Sequence, residues 1–155
     1  MLYWLRLQVK TMALAPQKFR EIVFLLLYTH EFPGSSQEET VLMIMQELKV
    51  TKRSVLEASG KVEKILEKIE TIDKMIAGTA TDYSFDRISR IEKTVLRLAL
   101  YEILFEKEIP PKVAIAEAIR LTRKFGTPEG AHFVNAVTDA IYQNDLKATE
   151  EPVLT

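Results

Sequence analysis

The chain has 155 residues, no cysteine, and 21 Lys and Arg against 22 Asp and Glu, for a formal net charge of −1. That length suits one domain able to bury roughly 68–70% of its unfolded surface, and the lack of cysteine excludes disulfide scaffolds, thiol nucleophiles and thiolate metal sites while fitting a reducing compartment. A net charge near zero decides nothing about nucleic acid, because a local basic face can sit inside a balanced protein.

The opening stretch, MLYWLRLQVKTMALAP, is apolar but is split by Arg6 and Lys10, which breaks the ~7–15-residue apolar run of a signal peptide. Met12 followed by Ala13 offers an alternative start. Residues 1–12 are therefore expected to be a disordered extension or a misassigned start, with a single domain over 13–144 and a flexible polar tail over 145–155. The run Ile22–Tyr28 is far shorter than the ~20 residues that cross a bilayer, and the chain reads as soluble and cytoplasmic.

From Pro16 onward the apolar spacing is helical. Pro16 suits a first helical turn, where its missing N–H costs nothing. Ile22, Val23, Leu26 and Leu27 form one face, and the pattern stops at Phe32-Pro33-Gly34. Ser35 or Ser36 can cap a second helix with Glu38 and Glu39 in its first turn, facing inward through Val41, Leu42, Ile44, Met45 and Leu48. Thr51 can cap a third segment that continues to Gly78, with Val62, Ile65, Leu66, Ile69, Ile72 and Ile76 as its stripe and a solvated Lys/Glu face opposite.

Ser84 or Asp86 can start the next helix. Between Ile91 and Phe105 only Glu92, Lys93, Thr94, Arg97 and Glu102 interrupt apolar or aromatic positions, so this helix belongs in the middle of a bundle. Pro110-Pro111 ends it. A further helix over about Lys112–Phe125 turns Ile115, Ala118, Ile119, Thr122 and Phe125 inward and is closed by Gly126. A last one begins near Glu129 and packs Phe133, Val134, Val137, Ala140 and Ile141. No segment alternates with period two long enough for a strand, so the fold class is all-α, a compact bundle of about six to seven helices.

Chemistry is sparse. His30 lies in His-Glu-Phe-Pro, which breaks the helix before a second ligand could follow, and His132 stands alone. A metal site needs three or four ligands, so neither histidine reads as one. Phosphate-loop, nucleophile-elbow and dinucleotide fingerprints are missing from the sequence. No cofactor, metal or catalytic residue is assigned, and an enzyme is not expected. Two basic stretches remain. Lys18 and Arg20 open the first helix, where positive charge opposes the helix dipole. Arg120, Arg123 and Lys124 close a later helix, where the dipole favours them, and Lys112 stands at that helix's start.

The stretch RIEKTVLRLALYEILFEKEIPPKVAIAEAIRLTRKFG (Arg90–Gly126) followed by HFVNAVTDAI closely resembles the C-terminal half of the NusB family of bacterial transcription antitermination factors. REIVFLLLYTHEF near the N-terminus matches more weakly, so the resemblance spans Pro16 to Ile141. It implies two packed helical subdomains. It also implies binding of single-stranded boxA-type RNA from ribosomal RNA leaders, together with the small-subunit ribosomal protein that doubles as NusE, and indirect engagement of the RNA polymerase elongation complex. Carried over by position, the RNA side includes Lys18 and Arg20, then Glu129, His132 and Phe133. Lys112, Arg123 and Lys124 join on charge alone. Tyr28 and Glu92 fall where the ribosomal partner is expected, and a homodimer covering the RNA face stays open. The family's arginine-rich opening is thinned here to Pro16-Gln17-Lys18-Phe19-Arg20-Glu21, and its usual Lys before Phe-Val-Asn is His132. A thinner cationic run implies a shallower salt dependence, since each phosphate neutralised on a single strand contributes about 0.7 to the slope. The alternative reading is a protein–protein adaptor of the same fold with little RNA affinity of its own.

Overall fold

The structure, a computed structural model, describes residues 14–82 and 84–146; the expectations for residues 1–12, and for the chain beyond 146, lie outside the described residues. The first helix, α1 (Pro16–His30), begins with Pro16 in its first turn. In α2 (Gln37–Leu48) the Ser36 hydroxyl accepts from the Glu39 N–H at 3.1 Å, and Lys49 ends the helix in the left-handed region at φ 54°. Thr51 caps α3 (Lys52–Glu67) by accepting from the Ser54 N–H at 3.1 Å. These caps satisfy N–H groups that the helix cannot.

The single segment expected from Thr51 to Gly78 is two helices. At Lys68 the backbone moves to φ −106°, ψ 6°, its N–H turns back to Ile65 O at 3.0 Å, and α4 runs over Ile69–Thr79. The reason is tertiary. A continuous helix over the expected segment would be about 42 Å long, too long for its apolar stripe to stay on one small core. The break lets Val55, Val62 and Ile65 face α1 while Ile72 and Ile76 turn to the later helices.

A 3-10 turn, Phe85–Arg87, precedes α5 (Arg90–Phe105). The cap of α5 is Ser89, whose hydroxyl accepts from the Glu92 N–H at 3.2 Å; Ser84 and Asp86 belong to the turn before it. Then follow α6 (Pro111–Phe125), α7 (Pro128–Ile141) capped by Thr127, and a π-type turn over Tyr142–Leu146. The described residues contain no strand.

Every residue from Thr94 to Ile103 is buried, so α5 is the spine. Against it pack α4, α6 and α7, and α6 and α7 pack on each other. A second unit, α1 to α3, joins through the face that α1 turns to α5. The result is two packed helical subdomains. Leu96, Leu98 and Leu100 are each at most 1% exposed, and burial stabilises such side chains by about 1.5–3 kcal/mol apiece. In α6 the innermost positions are Ala114, Ala118, Leu121 and Thr122, while Ile115 and Ile119 are only half-buried. Small alanines let α6 approach the spine closely. Gly126 does end α6, but at φ −121°, ψ −134° rather than in the left-handed region. Its need for glycine is spatial: a Cβ there would lie 2.9 Å from Thr122 O and 3.2 Å from Ile91 Cγ2.

Candidate nucleic-acid interface

The two basic stretches, far apart in the chain, meet at one place. The Phe24 ring of α1 stacks on Phe125 of α6 at 4.8 Å, which brings the first turns of α1 beside the last turns of α6. Glu21, 3% exposed, lies between them. Its carboxylate accepts from Lys124 Nζ and from Arg120 Nη1 at 3.3 Å, with Lys18 Nζ at 3.7 Å. Burial pushes the Glu21 carboxyl up, but the hydrogen bonds from Lys124 and Arg120 and the nearby Lys124 and Lys18 charges outweigh it and hold it below the ordinary carboxylate value. Arg120 also donates to Glu117 at 2.8 Å and to Gln17 O at 3.2 Å. The three cations keep part of their surface in solvent, with side-chain exposures of 37% for Lys18, 29% for Arg120 and 45% for Lys124.

Arg20 is different. Its Nε donates to both carboxylate oxygens of Glu102, at 3.0 and 3.1 Å, and its Nη1 is 4.0 Å from Glu117. Arg20 is 8% exposed and Glu102 1%. As a candidate surface contact for phosphate it is therefore corrected: the charge points into the interface between α1 and α5, where Glu102 compensates it, a carboxylate that Lys61 also approaches at 3.6 Å. The same bond accounts for a cation in the first turns of α1, which the helix dipole alone disfavours. A buried pair is retained only with good geometry and hydrogen bonding, and both are present.

Of the other candidates, Arg123 is exposed beside Lys124, and Glu129 and His132 are exposed on the first turns of α7, directly after the short α6–α7 connection. Phe133 is half-buried and packs on the core. Lys112 is exposed at the far end of α6. The intervening helix places it about 18 Å from Lys124, beside Ile115, Asp139 and Tyr142, so the structure does not join it to the cluster. Sequence reasoning counts Arg120 among dipole-compensating residues and passes over Glu21. Their local partners, Lys18 for Glu21 and Glu117 for Arg120, are ordinary i,i+3 pairs, and the bonds that join the two helices span about a hundred residues.

Tyr28 is half-buried, stacked on Phe24 at 5.9 Å and edge-on to Phe32 at 5.0 Å. The Arg90 guanidinium sits 4.7 Å over Phe32. A ladder of rings thus runs from Phe125, beside the cationic cluster, to the first turn of α5. Glu92 is in that turn, bonded to the Ser89 hydroxyl, and its Oε1 lies 3.3 Å from where a Cβ on Gly130 would be. Behind the ladder, Arg97 is held by Asp73 through two 2.9 Å bonds and by Glu31. Burial pulls its pKa down, but those carboxylates more than restore it, leaving it raised. Among the described residues no group of three or more His, Asp or Glu is placed to hold a metal, and no helix is long and apolar enough to cross a membrane.

Comparison with known proteins places these features in a family context. The NusB family model matches residues 17–143. Transcription antitermination protein NusB of Chlamydia pneumoniae is 36% identical over 126 residues, covering 81% of this chain and 79% of that protein. Among solved structures, T. maritima NusB superimposes with a TM-score of 0.68 at 34% identity, covering 84% of this chain and 92% of that one. A crystal structure of antitermination factors NusB and NusE in complex with double-stranded RNA superimposes with a TM-score of 0.67 at 28% identity, covering 82% and 95%.

Proposed function

The chain belongs to the NusB family, and from that premise we propose that it is an RNA-binding transcription antitermination factor that works with NusE on boxA-type RNA of ribosomal RNA leaders. The observation that carries the reading is that the matched region, 17–143, takes in both arms of the cationic cluster, Lys18 on α1 and Arg120 to Lys124 on α6. The solved NusB relative found with NusE and RNA supports it over most of this chain's length. The mechanism is scaffolding. Lys18, Arg123 and Lys124 grip phosphates, which positions the RNA without reading it, while Glu129, His132 and Phe133 border the same face. Tyr28, within the ring ladder, and Glu92, beyond its far end, meet the ribosomal protein. The polymerase is engaged through that assembly. No catalytic step is assigned, and the working compartment is the cytoplasm, where nascent ribosomal RNA of bacteria is made.

The test is fluorescence anisotropy of a labelled boxA-type RNA, titrated with this protein, with NusE, and with both, at two salt concentrations. Salt-sensitive binding that tightens markedly with both proteins is the expected result. No gain over NusE alone would sink the reading and favour the adaptor alternative. The burial of Arg20 is the observation that favours that alternative, because it removes one more cation from an already thinned run.

A further inference from the structure

We propose that Glu21 is a positioning residue for RNA: its buried carboxylate gathers Lys18 from α1 and Arg120 and Lys124 from α6 into one preassembled phosphate-gripping cluster. This rests on the RNA-binding reading above. By charge alone a carboxylate beneath a phosphate site is adverse, so its presence calls for a compensating role. The geometry supplies one. At 3% exposure Glu21 is shielded from any ligand, while each of the three cations leaning on it keeps an outward surface. An ammonium has three donors and a guanidinium five. Lys124 commits a donor to Glu21 and Lys18 is held by it at 3.7 Å, which leaves donors for an anion arriving from solvent. Arg120 is fixed more firmly, by Glu21, Glu117 and the Gln17 carbonyl together.

The reason to preassemble is entropic. Free Lys side chains lose rotamer freedom when they grip a phosphate, and a cluster ordered beforehand has less left to lose. Glu21 also ties α1 to α6, so the spacing between the two arms of the cluster is set before RNA arrives. Without the carboxylate, like charges from two helices repel and the lysines turn to solvent.

The charge balance makes the test sharp. Glu21→Gln keeps the shape and adds one net positive charge. If the site attracts RNA by charge alone, affinity rises and salt dependence steepens. If Glu21 positions the cluster, affinity falls about tenfold and the salt slope becomes shallower by about 0.7, as when one phosphate of a single strand is no longer neutralised. The measurement uses the full chain with NusE and a labelled boxA-type RNA across a KCl series, well below the melting temperature. Glu21→Asp should recover part of the affinity. Unchanged or tighter binding by Glu21→Gln, with only a lowered melting temperature, would reduce Glu21 to a helix clamp and overturn the proposal. Should Glu21→Gln fail to fold, a cycle of Lys18→Gln, Lys124→Gln and the double variant decides. Coupled effects support a shared organiser, and additive effects refute it. Absence of RNA binding by the wild type with NusE would instead bring down the RNA-binding reading itself.

Discussion

Arg20→Ala removes a guanidinium bonded to both oxygens of Glu102 and leaves that carboxylate, 1% exposed, with Lys61 at 3.6 Å as its remaining cation. Breaking a buried pair from one side typically costs about 3–5 kcal/mol, and the surviving Lys61 partner places this case near the low end, about 3 kcal/mol. For a domain of this size that lowers the melting temperature by about 6–12 °C. RNA affinity, measured below the transition with NusE present, should fall less than for Lys18→Ala combined with Lys124→Ala, whose cations face solvent. Differential scanning calorimetry and anisotropy on the same samples check both halves. An unchanged melting temperature together with a larger RNA defect than the Lys18/Lys124 variant would refute the assignment of Arg20 to the interior. The companion variant Arg20→Met with Glu102→Leu should regain most of the stability, because apolar replacement of a whole buried pair is often neutral or better.

Gly126→Ala should destabilise by about 1–3 kcal/mol, read by urea denaturation, since its methyl would meet a backbone carbonyl that has little room to yield. Leu98→Ala, in the middle of the spine and 1% exposed, should cost about 2–5 kcal/mol, also by urea denaturation. The pH dependence of Glu21 has a definite sign. Its folded pKa is lowered from the reference 4.5, so its ion pairs contribute stability that is present above that reference and lost as pH falls through the folded value. The stability gap between wild type and Glu21→Gln should accordingly be constant above about pH 5 and shrink below it; a gap that widens on acidification would contradict the geometry.

Periodicity and capping chemistry suffice to read most of this fold from residues alone. Stripes such as Ile22, Val23 and Leu27 or Val41, Ile44 and Leu48 reappear as buried faces, and Ser36 and Thr51 begin helices as their chemistry demands. The run after Thr94, apolar or aromatic except at Arg97 and Glu102, likewise announces a helix surrounded on all sides. These features are local: each depends on residues within a turn or two of one another, so neighbours in sequence carry the information. The break at Lys68 is hidden in the sequence because it relieves a length mismatch between a stripe and a core, which only the packed partners define. The candidate site is hidden for the same reason. Lys18 and Arg20, neighbours on the first turns of one helix, look alike in sequence, yet one faces solvent and the other Glu102, 82 residues onward. Glu21 reads as one more surface carboxylate until α1 and α6 are laid side by side and Lys124, 103 residues away, closes on it. Local composition determines which helices form; whether a charge serves the interior or a ligand is decided by which helix its neighbour turns out to be.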